Sequence, residues 1–155
     1  MLKATWSLWM FAWTKIPLIA LLRPTVMEAN AERCVLRIPL TWLAKNHLRS
    51  MYFGALCIGA DLAGGLIAMN LIRFRRSRVT FLFKDFQAEF LKRAEGPTVF
   101  TCIDGRKMGD LLDLAEQSGE REEDTVAVIA TVPDKLGDEP VAVFQLTISM
   151  KKRAG

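Results

Sequence analysis

The sequence predicts an α+β domain in which an antiparallel sheet wraps around one long central helix. Three observations lead to that expectation. The apolar run 51–72 is too long for a strand and reads as a helix. Segments rich in β-branched and aromatic residues follow it, joined by short turns, and such segments pair antiparallel. The helix also carries Gly54, Gly59, Gly64 and Gly65, each costing roughly 1 kcal/mol against alanine. A helix burdened in that way holds only if a sheet or another helix presses tightly on its backbone.

At 155 residues the chain has the length of one domain, and 51% apolar residues give it enough material for a sizeable core. Charged residues make up 25%, a globular rather than a disordered balance. The net charge of +4 mildly favours anionic partners. No RNA-recognition signature, zinc-finger spacing or basic stripe interleaved with aromatics appears, so nucleic acid is not an expected partner. Cys34, Cys57 and Cys102 are odd in number, far apart and free of any Cys-x-x-Cys, which argues against a disulfide framework and suits a reducing cytoplasm. With His47 the only histidine, no spacing supports a metal site.

Within residues 1–24 the run 6–22 is apolar enough to suggest a signal peptide or anchor. Lys15 and Pro17 interrupt it, however, and Arg23-Pro24 ends it. Trp6, Trp9, Met10 and Trp13 recur at spacings of three and four, as in a surface helix docked on the body. Residues 32–40 alternate weakly and form an expected strand closed by Pro39. Residues 42–50 are polar and basic, a loop. The central helix follows over 51–73, then a basic turn at 73–78. A strand is expected at 79–83, continuing at 86–90 after a bulge near Asp85. Gly96-Pro97 marks a turn before a strand at 98–103, and Asp104-Gly105 another. Residues 108–118 are ambiguous, with Leu111, Leu112, Leu114 and Ala115 suggesting a short helix. Strands close the chain at 125–132 and 141–150, separated by a loop at 133–140.

Asp61 stands out within the apolar helix. A buried carboxylate is costly unless paired or hydrogen-bonded, and burial raises its pKa and makes it a stronger base. The alternative is that the helix turns this position to solvent. Before the helix, Asn46, Arg49 and Ser50 bring donors to a helix start, where free N–H groups and the macrodipole favour negative charge. A developing oxyanion would be held there, with Gly54 allowing close approach. The competing reading is that Asn46 and Ser50 merely cap the helix.

The stretch from Asn46 through Ser50, Met51, Tyr52, Phe53, Gly54 and Ala55, followed by Asp61, resembles the phenylacetic-acid-degradation type of hotdog thioesterase. Asn46 falls on that family's Asn and Asp61 on its catalytic acid, with unchanged spacing. Arg49 stands for a Gly, Tyr52 for a His, and Phe53 with Gly54 for a glycine pair. Closer still is an uncharacterised bacterial branch of that superfamily, long known only as a domain of unknown function. It shares Lys15-Ile16-Pro17, Arg23-Pro24, Ile38-Pro39-Leu40, Met51-Tyr52-Phe53-Gly54-Ala55, Phe83-Lys84-Asp85-Phe86 and Phe90-Leu91-Lys92.

The resemblance implies a hotdog fold and a homodimer, often paired into a homotetramer, with the acyl thioester at the protomer interface. Asp61 would act as general base or nucleophile, facing the loop and helix start of the other chain. The N–H near Phe53 would polarise the carbonyl and Asn46 would position the water or the carbonyl. No cofactor is implied beyond coenzyme A as part of the substrate. Ser77 and Thr80 are candidate polar supports, and Tyr52 with Phe81, Phe83 and Phe86 candidate acyl-pocket residues, although such aromatics are more often core. Arg73, Arg75, Arg76, Arg78, Lys92 and Arg93 would meet coenzyme A phosphates or an acidic carrier protein, or form a solvated charged face.

Two rivals stand beside this acyl-CoA or acyl-carrier-protein thioesterase. One is a hotdog module that binds acyl thioesters or a partner without turning them over. The other is a membrane protein spanning through residues 51–72. There Asp61 at midspan would cost roughly 2.5–3.5 kcal/mol, and the glycines and strand-rich remainder favour a buried core instead of a membrane span.

Overall fold

A computed structural model describes residues 2–153. Met1, Ala154 and Gly155, which the expected domain also takes in, lie outside the described residues. Two helices open the chain, α1 (Leu2–Lys15) and α2 (Pro17–Leu21). Pro17 sits in the first turn of α2, where its missing N–H is no loss. One side of α1 buries Leu8 and Ala12, and Trp9 Nε1 donates to the Pro24 carbonyl at 3.0 Å. The Val26 N–H donates to Thr5 Oγ1 at 3.1 Å, tying the same helix to the first strand.

That strand, β1 (Thr25–Ala29), pairs with β2 (Cys34–Ile38). The central helix is α3 (Phe53–Phe74). After it come β3 (Val79–Phe90), β4 (Thr98–Cys102), α4 (Gly105–Ser118), β5 (Arg121–Thr131), the single turn α5 (Pro133–Leu136) and β6 (Pro140–Lys152). The six strands form one sheet in the order β1-β2-β4-β5-β6-β3, every pair antiparallel. Helix α3 lies against β2, β3, β4, β5 and β6, which is the hotdog arrangement.

Glycine explains how closely helix and sheet meet. A Cβ on Gly59 would come within 2.3 Å of the Phe100 ring, which is itself fully buried on β4. The backbone is therefore the contact surface, and the ring fills the space a side chain would take. Gly64 presents a similar face to Phe83. Although α3 is long and apolar enough to cross a membrane, most of it is buried inside this fold as the core helix.

The residues expected to form a strand at 32–40 do so only over the middle five. The ambiguous segment is a full helix, α4, burying Met108, Leu111, Leu112 and Ala115 at positions spaced by three and four and ending on Gly119 in the left-handed region (φ 69°). The Asp104-Gly105 turn is the start of that helix. Asp104 Oδ2 accepts the Ala127 N–H of β5 at 2.7 Å, and a Cβ on Gly105 would strike the Ala31 carbonyl at 2.1 Å. The bulge expected near Asp85 is present as a register shift between Phe83 and Asp85 within a single strand.

Candidate functional site at the start of the central helix

The loop before α3 is organised by Asn46. Its Oδ1 accepts the N–H groups of Leu48 (2.9 Å) and Ser50 (3.2 Å), and its Nδ2 donates to Ser50 Oγ at 3.0 Å. Arg49 closes the turn at φ 62°, in the left-handed region that a glycine adopts without strain. Asn46 and Ser50 are thus bonded to each other and to the turn, and neither caps the helix. Met51 and Tyr52 are then pinned by N–H donation to Ala94 and Ala44, both at 2.8 Å.

No side chain caps the first turn of α3, and the N–H groups of Phe53 and Gly54 have no acceptor among the described residues. Orphan donors at a helix start, aligned with the macrodipole, suit a partial negative charge. The Tyr52 ring packs over Gly54, where a Cβ would meet it at 2.5 Å. In front lies an open cavity of about 630 Å³ lined by Asn46, Tyr52, Phe53, Phe90, Lys92 and Arg93.

Asp61 is partly buried in the middle of α3, and has no hydrogen bond or ion pair among the described residues. Burial pushes its carboxyl above the usual aspartate range. It lines a second, mostly apolar cavity of about 220 Å³ with Leu8 and Phe11 of α1, Ile19 of α2, and Phe81 and Phe83 of β3. From Phe53 to Asp61 the helix rises by about 12 Å. One chain therefore holds the free donors and the acid in separate cavities.

The remaining candidates lie at the other end of α3. Ser77 Oγ accepts the Val79 N–H at 3.1 Å, and Thr80 Oγ1 donates to the Lys151 carbonyl at 3.3 Å. Arg76 occupies a left-handed turn (φ 52°) and Arg78 is exposed. Arg75 is paired with Asp113, and Lys92 with Glu139. So Asn46, Tyr52 and Phe53 come together, Asp61 stands apart from them, and Ser77, Thr80, Arg76 and Arg78 join neither cavity in this chain.

Phe90 and Leu91 of the first cavity, and Leu8, Phe11 and Ile19 of the second, were not among the sequence candidates. Leu8, Phe11 and Ile19 come from distant segments and bear no local signal beyond being apolar, whereas Phe90 and Leu91 lie in the shared run Phe90-Leu91-Lys92, which marks the family without marking a cavity. Burial raises the pKa of all three cysteines, which disfavours the reactive thiolate. Cys34 and Cys102 face each other across β2 and β4, and burial pushes them up to about 12 and about 11. Among the described residues no cluster of His, Cys, Asp and Glu could hold a metal ion.

Comparison with solved structures places the fold among known ones. A Chlorobaculum tepidum protein of unknown function superposes with a TM-score of 0.83 at 13% identity, over 97% of this chain and 96% of that one. A Pseudomonas aeruginosa protein of unknown function, described as a probable thioesterase, gives 0.78 at 22% identity over 95% of each chain. A Staphylococcus aureus thioesterase enzyme, solved as a mutant, gives 0.63 at 15% identity, over 87% of this chain and 98% of that one. A search of the curated proteins finds no match. One sequence family covers residues 4–151, nearly the whole described fold, and the chain belongs to it: the family described as domain of unknown function DUF4442.

Proposed function

We propose that this protein is an acyl-thioester hydrolase that works as a homodimer, Asp61 of one protomer acting on a carbonyl held at the α3 start of the other. The observation that carries the reading is Asp61 itself, an unpaired carboxylate in the wall of an apolar cavity. Leaving such a charge without a partner costs stability, and its raised pKa makes it a stronger proton acceptor than an ordinary aspartate.

In this reading the N–H groups of Phe53 and Gly54 hold the thioester oxygen as it gains negative charge. Asp61 takes a proton from water while the water oxygen bonds to the carbonyl carbon. The C–S bond then breaks, the electron pair leaves with sulfur, and the thiolate takes up a proton. A thiolate leaves readily, so no strong general acid is required. Attack by Asp61 itself, through a mixed anhydride that water then cleaves, uses the same geometry. Asn46 acts by holding the loop in shape, with one amide hydrogen left to meet the water or the carbonyl.

Lys92 and Arg93 beside the larger cavity suit the phosphates of coenzyme A, as would a carrier-protein arm, while the apolar cavity by Asp61 suits the acyl group. The separation of acid and donors within one chain, and the uncovered apolar edge of β3, both favour a second copy. A further pairing of dimers into a tetramer follows the family resemblance. A reducing cytoplasm suits three unpaired thiols.

Asp61→Asn tests the reading against a panel of acyl-CoA esters. The expected loss is about 100-fold or more in kcat/KM, the scale of a general base. In the wild type, activity rises with pH through a midpoint above the ordinary aspartate range, because the ionised form is the base. Stability runs the other way. The folded state binds the Asp61 proton more tightly than the unfolded chain does, so this group's contribution falls as pH rises from the unfolded to the folded pKa. Asp61→Asn therefore keeps or raises Tm at neutral pH. Unchanged hydrolysis in the variant ends the proposal. So does a wild-type protein that binds acyl-CoA in a thermal-shift assay yet never turns it over, the behaviour of a binding module.

A further inference from the structure

Helix α1 is apolar on two sides, and the fold buries only one. Leu8 and Ala12 face the body, while Trp6, Met10 and Trp13, at positions i, i+4 and i+7, form an opposite stripe that is 70%, 54% and 58% exposed. A helix apolar most of the way round is normally buried most of the way round. Exposed Ile16, Leu18 and Leu21 follow in and just before α2. Large apolar groups clustered so densely mark a surface that meets something.

The charges around this face say what it meets. Lys3 extends the stripe, three residues before Trp6 and seven before Met10, and Lys15 and Arg23 are exposed at the end of α1 and just past α2. The first acid in the sequence is Glu28, which pairs with Arg33 at 3.6 Å. We propose that this N-terminal face docks the protein on an anionic lipid bilayer, lying in the headgroup region without crossing it. Tryptophan has an apolar body and a polar N–H, so it settles at the boundary between acyl chains and headgroups. Lysine and arginine stems extend along the apolar layer while their charges reach lipid phosphates.

A second copy of the chain fits this face less well. A symmetric pair brings the same patch together with itself, and this patch would set its cations against one another, since the acid beside it, Asp61, is partly buried in the cavity behind Ile16. The proposal does not depend on the hydrolase reading.

The experiment is co-sedimentation of the full chain with vesicles of mixed phosphatidylcholine and phosphatidylglycerol, against phosphatidylcholine alone. The wild type is expected to bind the mixed vesicles, to shift its tryptophan emission to the blue and to release as salt rises. Lys3→Gln should weaken partitioning about fivefold, the worth of one cation near a charged membrane surface. Trp6→Ser with Trp13→Ser should abolish it at unchanged Tm, since both side chains are exposed. Failure of the wild type to bind mixed vesicles at low salt overturns the proposal. Undiminished binding by the double-tryptophan variant does the same. Concentration-dependent self-association that disappears in that variant, with no vesicle binding, assigns the face to a second copy instead.

Discussion

Strands β3 and β6 run side by side as an antiparallel pair, and both alternate apolar residues along much of their length. Their fates differ. β6 lies between β5 and β3 and buries Val141, Ala142, Phe144, Leu146, Ile148 and Met150. β3 is an edge strand that buries only Val79, and from Lys84 onward every residue is exposed. Phe86 and Phe90 nevertheless pack against Phe144, on the face that β6 turns to the core. Alternation thus identifies which face is apolar, without saying whether this chain or another covers it. A long edge strand left open in this way invites pairing with a further strand.

Removing matched rings should separate the two strands. Phe144→Ala is expected to cost about 3–5 kcal/mol, as for a fully buried phenylalanine, whereas Phe90→Ala should cost the isolated fold about 1 kcal/mol or less. Urea unfolding of both variants measures the gap, and equal losses would erase the distinction. A charge sharpens it further. For the proposed homodimer, Phe86→Lys should shift sedimentation toward monomer while leaving the circular dichroism spectrum unchanged, because the residue is exposed in one chain. A dimer that survives this change would place the contact elsewhere. The smallest effect calibrates the scale at a position on neither strand. Arg49→Gly relieves a left-handed backbone and should add about 0.5–1 kcal/mol of stability, read as a rise in Tm.

What was legible in the sequence follows the range of the interaction responsible. The four glycines of α3 demanded close packing, but nothing local named Phe100 as the ring filling the space at Gly59. The two aromatic runs of β3 betrayed their bulge, because the apolar positions change phase across Lys84-Asp85. β1 escaped notice since it has five residues, only Val26 of them buried, too few to show alternation. α4 was blurred by Asp104-Gly105, which reads equally as a turn or as a helix start. Asp61 was conspicuous as a charge in an apolar run, whereas the residues roofing its cavity, Phe11 and Ile19, come from the distant N-terminal helices. Asn46 and Ser50 fitted either cap or site. Three dimensions were needed to see that they bond each other and leave the helix start open.

The register shift in β3 carries one more consequence. Odd-numbered Phe81 and Phe83 point toward the helix, yet beyond the irregularity the even-numbered Phe86 and Phe90 take over. Held to unbroken alternation, the same residues would turn Asp85, Gln87 and Glu89 inward and the outer rings outward, so β3 carries one residue more than its partner at this point. Loss of Lys84 alone would therefore leave Phe83 and Phe86 two places apart, both facing inward with no irregularity between them. Loss of two residues would restore an odd step between the rings and demand a bulge again, so single-residue changes of length should be the ones this edge tolerates.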